Sequence, residues 1–315
     1  MGITGWIILA VVGAAVLFFV VPTFIMSLAL YRVLLVRTKP EKWGRECSMP
    51  EDVEYRGMFE DGVAWREKYR DRMTEVSVES DGLKLRGEYF DFGCDKAVII
   101  IAGRMESCLY CCYFAEPYRL EGYNVLAIDN RAHGLSEGKT ASLGYKEYRD
   151  LLAWGRMLHD TLGNKKIVMH GICIGASAAL FALTADGCPD YMSGMVAEGM
   201  YINFYDSFRQ HMLLLKHPNF PFTLETMFWI RVISGANVVT DGPVKRVSKL
   251  KKPILFLHSR EDEFSVPKNA EKLFADCGSD DKEIVWFEHG AHSRIRPVDT
   301  QGYDAAVTGF LEKLK

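Results

Sequence analysis

Short, uninterrupted apolar runs recur along this chain from Lys96 onward, each followed by a segment long enough to form a helix. Strands that are buried on both faces need such continuous runs, because neither face of the strand can be polar. Alternation of strands with helices indicates a mostly parallel, doubly wound sheet, whose sites form at the carboxyl ends of its strands. The predicted strands are residues 97–102, 123–128, 166–169, 194–197, 254–257 and 284–287, and the predicted helices include residues 145–159, 176–184, 268–275 and 301–314.

Two further β-rich runs, residues 73–78 and 83–90, precede these strands. The sequence Ser80-Asp81-Gly82 between them is a hairpin signal, so we expect an antiparallel entry into the sheet and eight strands altogether. One segment, residues 199–247, interrupts the later alternation and is rich in large apolar residues. We predict that it folds as a helical cap, in which most of these residues pack on each other and a few line an acyl pocket or contact lipid.

The segment Gly171-Ile172-Cys173-Ile174-Gly175 joins a predicted strand directly to a predicted helix. Glycines on either side permit close packing of the helix on the strand, around a strained turn that projects the Cys173 side chain above the sheet. The N–H of Ile174 can then point at an oxyanion, and the positive end of the helix favours a thiolate. Cys173 is therefore the predicted nucleophile, and a small buried cysteine in a tight turn is the alternative.

Two later loops carry the groups that would activate a cysteine. Asp262 follows the fifth of the apolar strands, where a carboxylate can fix the tautomer of an imidazole, and we expect Glu261 and Glu263 beside it to be solvated. His292 lies on a loop of small residues after the last strand. We predict His292 as the general base, with His289 as the alternative.

These features together resemble the α/β-hydrolase family, in particular its serine aminopeptidase-like, esterase and lipase branches. The order nucleophile, acid, histidine is the chain order of that family. Residues 129–138, Asp-Asn-Arg-Ala-His-Gly-Leu-Ser-Glu-Gly, resemble its D-x-R-G-H-G-x-S-x-G turn. The resemblance covers about residue 73 to the end of the chain and implies an α/β-hydrolase fold with the activity of a hydrolase.

Two positions depart from the family pattern. Cys173 stands where the family usually has serine, and Ala102-Gly103-Arg104 stands where it has His-Gly. The resemblance places the second oxyanion N–H at Arg104, with Met105 as the alternative. It also implies that His133, on the family turn, is structural rather than catalytic.

A Cys–His–Asp set attacks as a thiolate and forms a thioester with the acyl group. Because thiolates are also good leaving groups, we expect lactones, thioesters and simple esters to be better substrates than amides. The side chains of Arg104 and Glu106 would either select substrate at the pocket mouth or form a solvated salt bridge. Two alternatives remain, a catalytically silent member that binds an apolar ligand or partner, and a redox-sensing thiol at Cys173.

No charged residue interrupts the apolar run of residues 3–31. Crossing a bilayer takes about 20 such residues, so we predict one transmembrane helix. The positive-inside rule predicts a cytoplasmic body, because basic residues follow the run at Arg32, Arg37, Lys39, Lys42 and Arg45. A cleaved signal peptide is the alternative, which the length of the run and the lack of a basic n-region and a clear cleavage site disfavour.

The predicted organisation is therefore a transmembrane helix in residues 1–37, a juxtamembrane linker in residues 38–72 and a hydrolase domain in residues 73–315. Within the linker we predict a short amphipathic helix at residues 58–69. The predicted partners are the membrane and a small or lipid-like acyl substrate. The net charge of −3 gives no sign of a nucleic-acid partner.

The eight cysteines have no framework spacing, which predicts free thiols in a reducing compartment. Cys108, Cys111 and Cys112 superficially resemble half of a metal site. A second pair of ligands at a suitable spacing is missing, so we predict buried helix thiols instead. The sequence indicates no metal and no organic cofactor.

Overall fold

The protein is described by a computed structural model that covers residues 2–314, apart from the side chain of Ala15. Its strands are β1 (Met73–Ser80), β2 (Leu83–Phe90), β3 (Lys96–Ile101), β4 (Asn124–Ile128), β5 (Lys166–Ile172), β6 (Met192–Glu198), β7 (Ile254–Ser259) and β8 (Lys282–Phe287). They form one eight-stranded sheet in the order β1-β2-β4-β3-β5-β6-β7-β8 within the described residues. The predicted fold class is confirmed.

The strands differ in pairing direction and in burial across the sheet. β1 and β2 form the predicted antiparallel hairpin, with Met73 opposite Phe90 and Ser80 opposite Leu83. β2 is also antiparallel to β4, whereas β3 to β8 pair in parallel. The central strands are almost wholly buried and β8, at one edge, is mostly half-buried. Continuous apolar runs therefore mark the strands that helices cover on both faces.

The described residues form thirteen α-helices, several of which cover the two faces of the sheet. They are α1 (Ile3–Ala15), α2 (Val21–Leu35), α3 (Val53–Lys68), α4 (Cys108–Tyr113), α5 (Glu116–Leu120), α6 (Glu147–Arg156), α7 (Ile174–Leu183), α8 (Phe204–Leu214), α9 (Phe222–Ser234), α10 (Pro243–Arg246), α11 (Pro267–Asp276), α12 (Ile295–Val298) and α13 (Thr300–Lys313). One buried core joins the sheet to α3, α4, α5 and α13. A second core on the opposite face joins the sheet to α6, α7 and α11.

The apolar N-terminal run is one helix of 33 residues, in which a π-helical turn, Val16–Val20, separates α1 from α2. Its length and composition suffice to cross a membrane. The side chains of α1 that the structure describes are almost all exposed, whereas Ser27, Tyr31 and Leu35 on α2 are buried against the body. The second half of the predicted transmembrane helix is thus also part of the globular core.

The segment after α2 is more ordered than a linker. α3 begins at Val53 rather than at residue 58, because the Asp52 carboxylate caps it by accepting the N–H of Tyr55 at 3.0 Å. Arg45, before this helix, donates to Glu88 at 2.6 Å and to Asp129 at 3.1 Å. These ion pairs fix the segment to β2 and to the loop after β4.

The insertion between β6 and β7 contains α8, α9 and α10, as expected for a helical cap. α9 packs on α2, where the indole N–H of Trp229 donates to the carbonyl of Phe24 at 3.0 Å. Thr23 and Ser27 of α2 donate to the Glu225 carboxylate at 2.9 and 3.3 Å. The cap and the apolar helix therefore form one unit above the sheet.

Candidate active site

Cys173 lies in a sharp turn between β5 and α7, with φ 53° and ψ −109°. Few residues other than glycine adopt a positive φ, and such strain is typical of a nucleophile elbow. A Cβ at Gly171 would overlap the backbone of Ala176, and one at Gly175 would overlap the carbonyl of Ile101. Glycine at both positions therefore allows the helix to begin directly against the sheet.

Asp262 and His292 meet at the carboxyl ends of β7 and β8. The Oδ2 atom of Asp262 lies 2.8 Å from Nδ1 of His292. Its Oδ1 atom accepts the N–H groups of Phe264 and Ser265 at 2.9 and 2.7 Å. Because both carboxylate oxygens have donors, the buried Asp262 is fixed in an orientation that holds the His292 ring.

Electrostatics favour the ionised forms of this pair. Burial lowers the pKa of His292, but the negative charges of Asp262 and Cys173 and hydrogen bonds to both outweigh it, so the pKa is raised well above its usual value. Burial raises the pKa of Asp262, but the charge of His292 and its hydrogen bond prevail and lower it. An imidazolium at His292 would stabilise a thiolate at Cys173.

The alternative acid and base residues lie at the surface. Exposed His289 is 3.0 Å from the exposed Glu261 carboxylate, through Nδ1 and Oε1. Glu263 is also exposed. In contrast, Cys173 and His292 line the same cavity, so the structure brings the predicted nucleophile, base and acid together and leaves the three alternatives outside.

Two backbone N–H groups near Cys173 are free to hold an oxyanion. Neither Ile174 nor Arg104 donates its N–H to a group in the described part of the chain. The Met105 N–H, the alternative donor, is directed to Nε2 of His133 at 3.2 Å. His133 Nδ1 lies 2.9 Å from the Arg131 carbonyl, and burial lowers the pKa of His133 to about 4. Neutral His133 thus orients the loop that carries Arg104.

Glu106 has a role that the sequence did not reveal. Its carboxylate accepts the N–H of Gly103 at 2.6 Å and the hydroxyl of Tyr55, which comes from α3. No ion pair links Arg104 to Glu106 among residues 2–314, so the salt-bridge alternative is wrong. Glu106 instead fixes the loop after β3, and only the position of α3 in the fold could indicate this.

The cavity above Cys173 has a volume of about 260 Å³. It combines parts of the chain that are far apart in sequence, namely Leu34 from α2, Met49 and Tyr55 from the segment before the sheet, and Phe204 and Phe208 from the cap. Most lining side chains are apolar, which suits the hydrocarbon part of an acyl compound. The helix that could cross the membrane therefore contributes directly to the cavity wall.

The other cysteines of the predicted helix group are buried. Cys108, Cys111 and Cys112 lie on α4, and burial raises the pKa of each thiol above its usual value. No cluster of three or more metal-ligating side chains occurs in the described part of the chain. Buried helix thiols are thus confirmed for this group.

A buried polar network lies beneath the site at the end of β6. The hydroxyl of Tyr303 is 2.6 Å from Oε2 of Glu198 and 3.0 Å from Nε2 of His170. The Glu198 carbonyl accepts the N–H of Cys173 at 2.9 Å, so this residue also supports the turn. Burial raises the pKa of Glu198 to about 7, although the hydrogen bond from Tyr303 and the charge of His292 oppose it.

The sequence also matches known families and proteins. Residues 96–228 match the family described as alpha/beta hydrolase fold, and residues 216–296 match serine aminopeptidase S33. The chain is 27% identical over 195 residues to uncharacterized protein YqkD of Bacillus subtilis, covering 61% of this chain and 63% of that protein. It is 27% identical over 194 residues to uncharacterized membrane protein YNL320W of Saccharomyces cerevisiae, covering 62% of each.

Among solved structures, the Pyrococcus furiosus esterase Pf2001 superimposes with a TM-score of 0.65 at 26% identity, covering 79% of this chain and 95% of the esterase. The match spans less than two thirds of the length of either curated relative. With its sheet, its strand-to-helix turn and these similarities, the chain has the α/β-hydrolase fold.

Glu198 should make the stability of the fold depend on pH. In the unfolded chain its pKa is about 4.3, and a folded value that is higher means that folding takes up a proton between the two values. The stability that this group contributes is fully present below about pH 4. It is lost as the pH rises from there to about 7, at about 1.4 kcal/mol per pH unit. Glu198→Gln should therefore gain stability over wild type by about 3 kcal/mol between pH 4.5 and 8.

The measurement is urea unfolding of the full chain in detergent across this pH range. Glu288→Gln, which removes an exposed carboxylate, is the matched control for the loss of one carboxyl group. A pH dependence of the Glu198→Gln effect no greater than that of Glu288→Gln would show that the raised pKa of Glu198 is wrong.

Proposed function

We propose that this chain is a membrane-anchored hydrolase that cleaves an acyl ester, thioester or lactone through Cys173, His292 and Asp262. The observation that supports it most is the pairing of His292 with Asp262 at 2.8 Å beside a cysteine in a strained strand-to-helix turn. The match to the alpha/beta hydrolase family model and the esterase neighbour favour a hydrolase. A silent binding protein would not need this ordered arrangement of nucleophile, base and acid.

The chemistry follows from the geometry. His292 takes the proton of the Cys173 thiol, and the sulfur attacks the acyl carbonyl, whose oxygen gains the electron pair and accepts the N–H groups of Ile174 and Arg104. Collapse of this intermediate breaks the bond to the leaving group, which receives the proton from His292. Water then attacks the thioester while His292 accepts its proton, releasing the acid and regenerating the thiol.

The nucleophile also limits the substrate. A thiolate is a better leaving group than an amine, so a tetrahedral intermediate formed from an amide would expel the sulfur more readily than the amine. Esters, thioesters and lactones avoid this difficulty because their own leaving groups depart easily. The apolar cavity favours an acyl compound with a hydrocarbon part.

We further propose that the substrate is supplied at a membrane. α2, the second half of the apolar helix, packs on α9, and its residue Leu34 lines the cavity. The helix that would cross the bilayer is therefore continuous with the cavity wall. Exposed Leu224, Phe228 and Val232 on α9 extend the apolar surface beside this helix. An amphiphilic substrate could reach Cys173 along this surface without crossing water.

Substitutions within the triad test the proposed chemistry. Cys173→Ala and His292→Ala should each lower kcat/KM for a thioester by about 1,000-fold or more, since each removes a group that forms or breaks bonds. Asp262→Asn should cost about 100- to 10,000-fold, because the His292 tautomer is no longer fixed. The measurement is steady-state hydrolysis of matched esters, thioesters and amides by the full chain in detergent.

Controls come from the rejected alternatives. Glu261→Gln, Glu263→Gln and His289→Ala lie at the surface and should retain activity within about 3-fold. Full turnover by Cys173→Ala would contradict the proposal. Absence of turnover in folded wild type across the panel would favour the silent, ligand-binding alternative.

The orientation of the chain is a separate prediction. Arg32, Arg37 and Lys39 follow the apolar run, so the body should remain on the cytoplasmic side. We expect that an N-glycosylation acceptor fused after Lys315 stays unmodified when the full chain is synthesised with microsomes. As a control, replacing residues 2–31 by a cleavable signal peptide should give a glycosylated product, and glycosylation of the full chain itself would contradict the orientation.

A further inference from the structure

The side chain of Arg104 lines the cavity beside Cys173 and is only half-buried. Among the described residues, its guanidinium has neither an ion pair nor a hydrogen bond. Guanidinium groups stay protonated because their usual pKa is far above neutrality. The cavity therefore contains a permanent positive charge whose donors are available.

Most other ionisable groups that line the cavity already have a hydrogen-bond or ion-pair partner. Glu106 accepts the Tyr55 hydroxyl and the Gly103 N–H. Arg294 donates to Asp52 at 2.8 Å, and His292 is held by Asp262 at the same distance. His211 contacts the ring of Phe264 at a centroid distance of 5.1 Å. Arg104 is thus the permanent charge left without a partner in the described wall of the cavity.

An unpaired charge in such a place is unfavourable before a ligand binds. Burial lowers the pKa of Arg104, because the surroundings replace only part of the water around the guanidinium. Negative charge on Cys173, Tyr55 or Glu106 would oppose this lowering of the pKa. An anionic ligand that reaches the guanidinium would recover the lost stabilisation, and the planar donor fork fits a carboxylate or a phosphate.

We propose that Arg104 is a specificity-determining residue that binds a carboxylate or phosphate on the acyl substrate. Most of the remaining wall is apolar, with Met105, Phe204 and Phe264 among its residues, so the substrate is an anionic amphiphile. The anionic group lies within the reach of one arginine side chain from the scissile carbonyl, since the backbone N–H of the same residue is the proposed oxyanion donor. This inference rests on the proposed hydrolase activity.

Two matched pairs of substrates test it. The first pair is the S-ethyl monothioester of adipic acid and its terminal carboxamide, which have the same number of heavy atoms and differ in charge. The second pair is 1-decanoylglycerol 3-phosphate and 1-decanoylglycerol. We measure the ratio of kcat/KM for the anionic substrate to that for the neutral one, which cancels effects that both substrates share.

Wild type should favour the anionic member of at least one pair, and Arg104→Met should lower that ratio by about 10- to 100-fold, chiefly through KM. Arg104→Lys should restore part of it, because an ammonium keeps the charge but loses the fork. Arg209→Met, at an exposed position outside the cavity, is the matched control and should keep the wild-type ratio. A preference within the first pair identifies a carboxylate, and within the second pair a phosphate.

A fall in activity that is equal for both members of each pair would overturn the proposal, since Arg104 would then act only as a counter-charge for the Cys173 thiolate. A ratio near one in wild type for both pairs would overturn it too. The binding of adipic acid monoamide and of adipamide to Cys173→Ala, measured by calorimetry, separates this proposal from the catalytic one. If Cys173→Ala still hydrolyses the thioesters, the proposed nucleophile is wrong, yet tighter binding of the anion that depends on Arg104 would still support the subsite.

Discussion

The backbone strain at Cys173 is the constraint on which the site depends. A non-glycine residue at φ 53° persists only when its surroundings hold it, and here the close packing of α7 on β5 does so through Gly171 and Gly175. The same packing makes Cys173 the residue directly before α7, so that Ile174 is the first residue of the helix. The Cys173 N–H bonds to the Glu198 carbonyl at 2.9 Å, so β6 also supports the turn.

A second set of contacts links the loop after β3 to the segment that follows the apolar N-terminal helix. Gly103 is held by Glu106, and Glu106 in turn accepts the hydroxyl of Tyr55 on α3. The ion pair of Arg294 with Asp52 joins the start of α3 to the loop that carries His292. Residues that the sequence suggested were a linker therefore contact both the loop after β3 and the loop that carries His292.

The sequence predicted the strands well because their apolar runs are continuous, as burial on both faces requires. Cys173, Asp262 and His292 could be proposed as one site because each follows a strand at the same edge of the sheet, where chain order and turn chemistry are local signals. The contacts of Glu106 could not be found in this way, and for Arg104 the sequence left substrate selection and a salt bridge with Glu106 as open alternatives. Whether these two side chains pair depends on Tyr55, which is far away in sequence and reaches Glu106 only after α3 has packed.

The early start of α3 has a different cause. Its cap, Asp52, follows Pro50 in a polar stretch whose apolar periodicity is weak, so local pattern alone placed the helix too late. The apolar N-terminal helix shows a similar limit. Composition identified a possible membrane span, but it could not indicate that Tyr31 and Leu35 are buried against the cap and body.

The most direct test of the central claim is to identify the residue that carries the acyl group during turnover. Wild-type full chain is mixed with a decanoyl thioester, quenched in acid within the first turnovers and digested for mass spectrometry. We expect the decanoyl mass on the peptide that contains Cys173, formed and lost at rates consistent with turnover. Turnover with the acyl group on another residue, or with unmodified Cys173 at every quench time and undiminished activity in Cys173→Ala, would contradict the account.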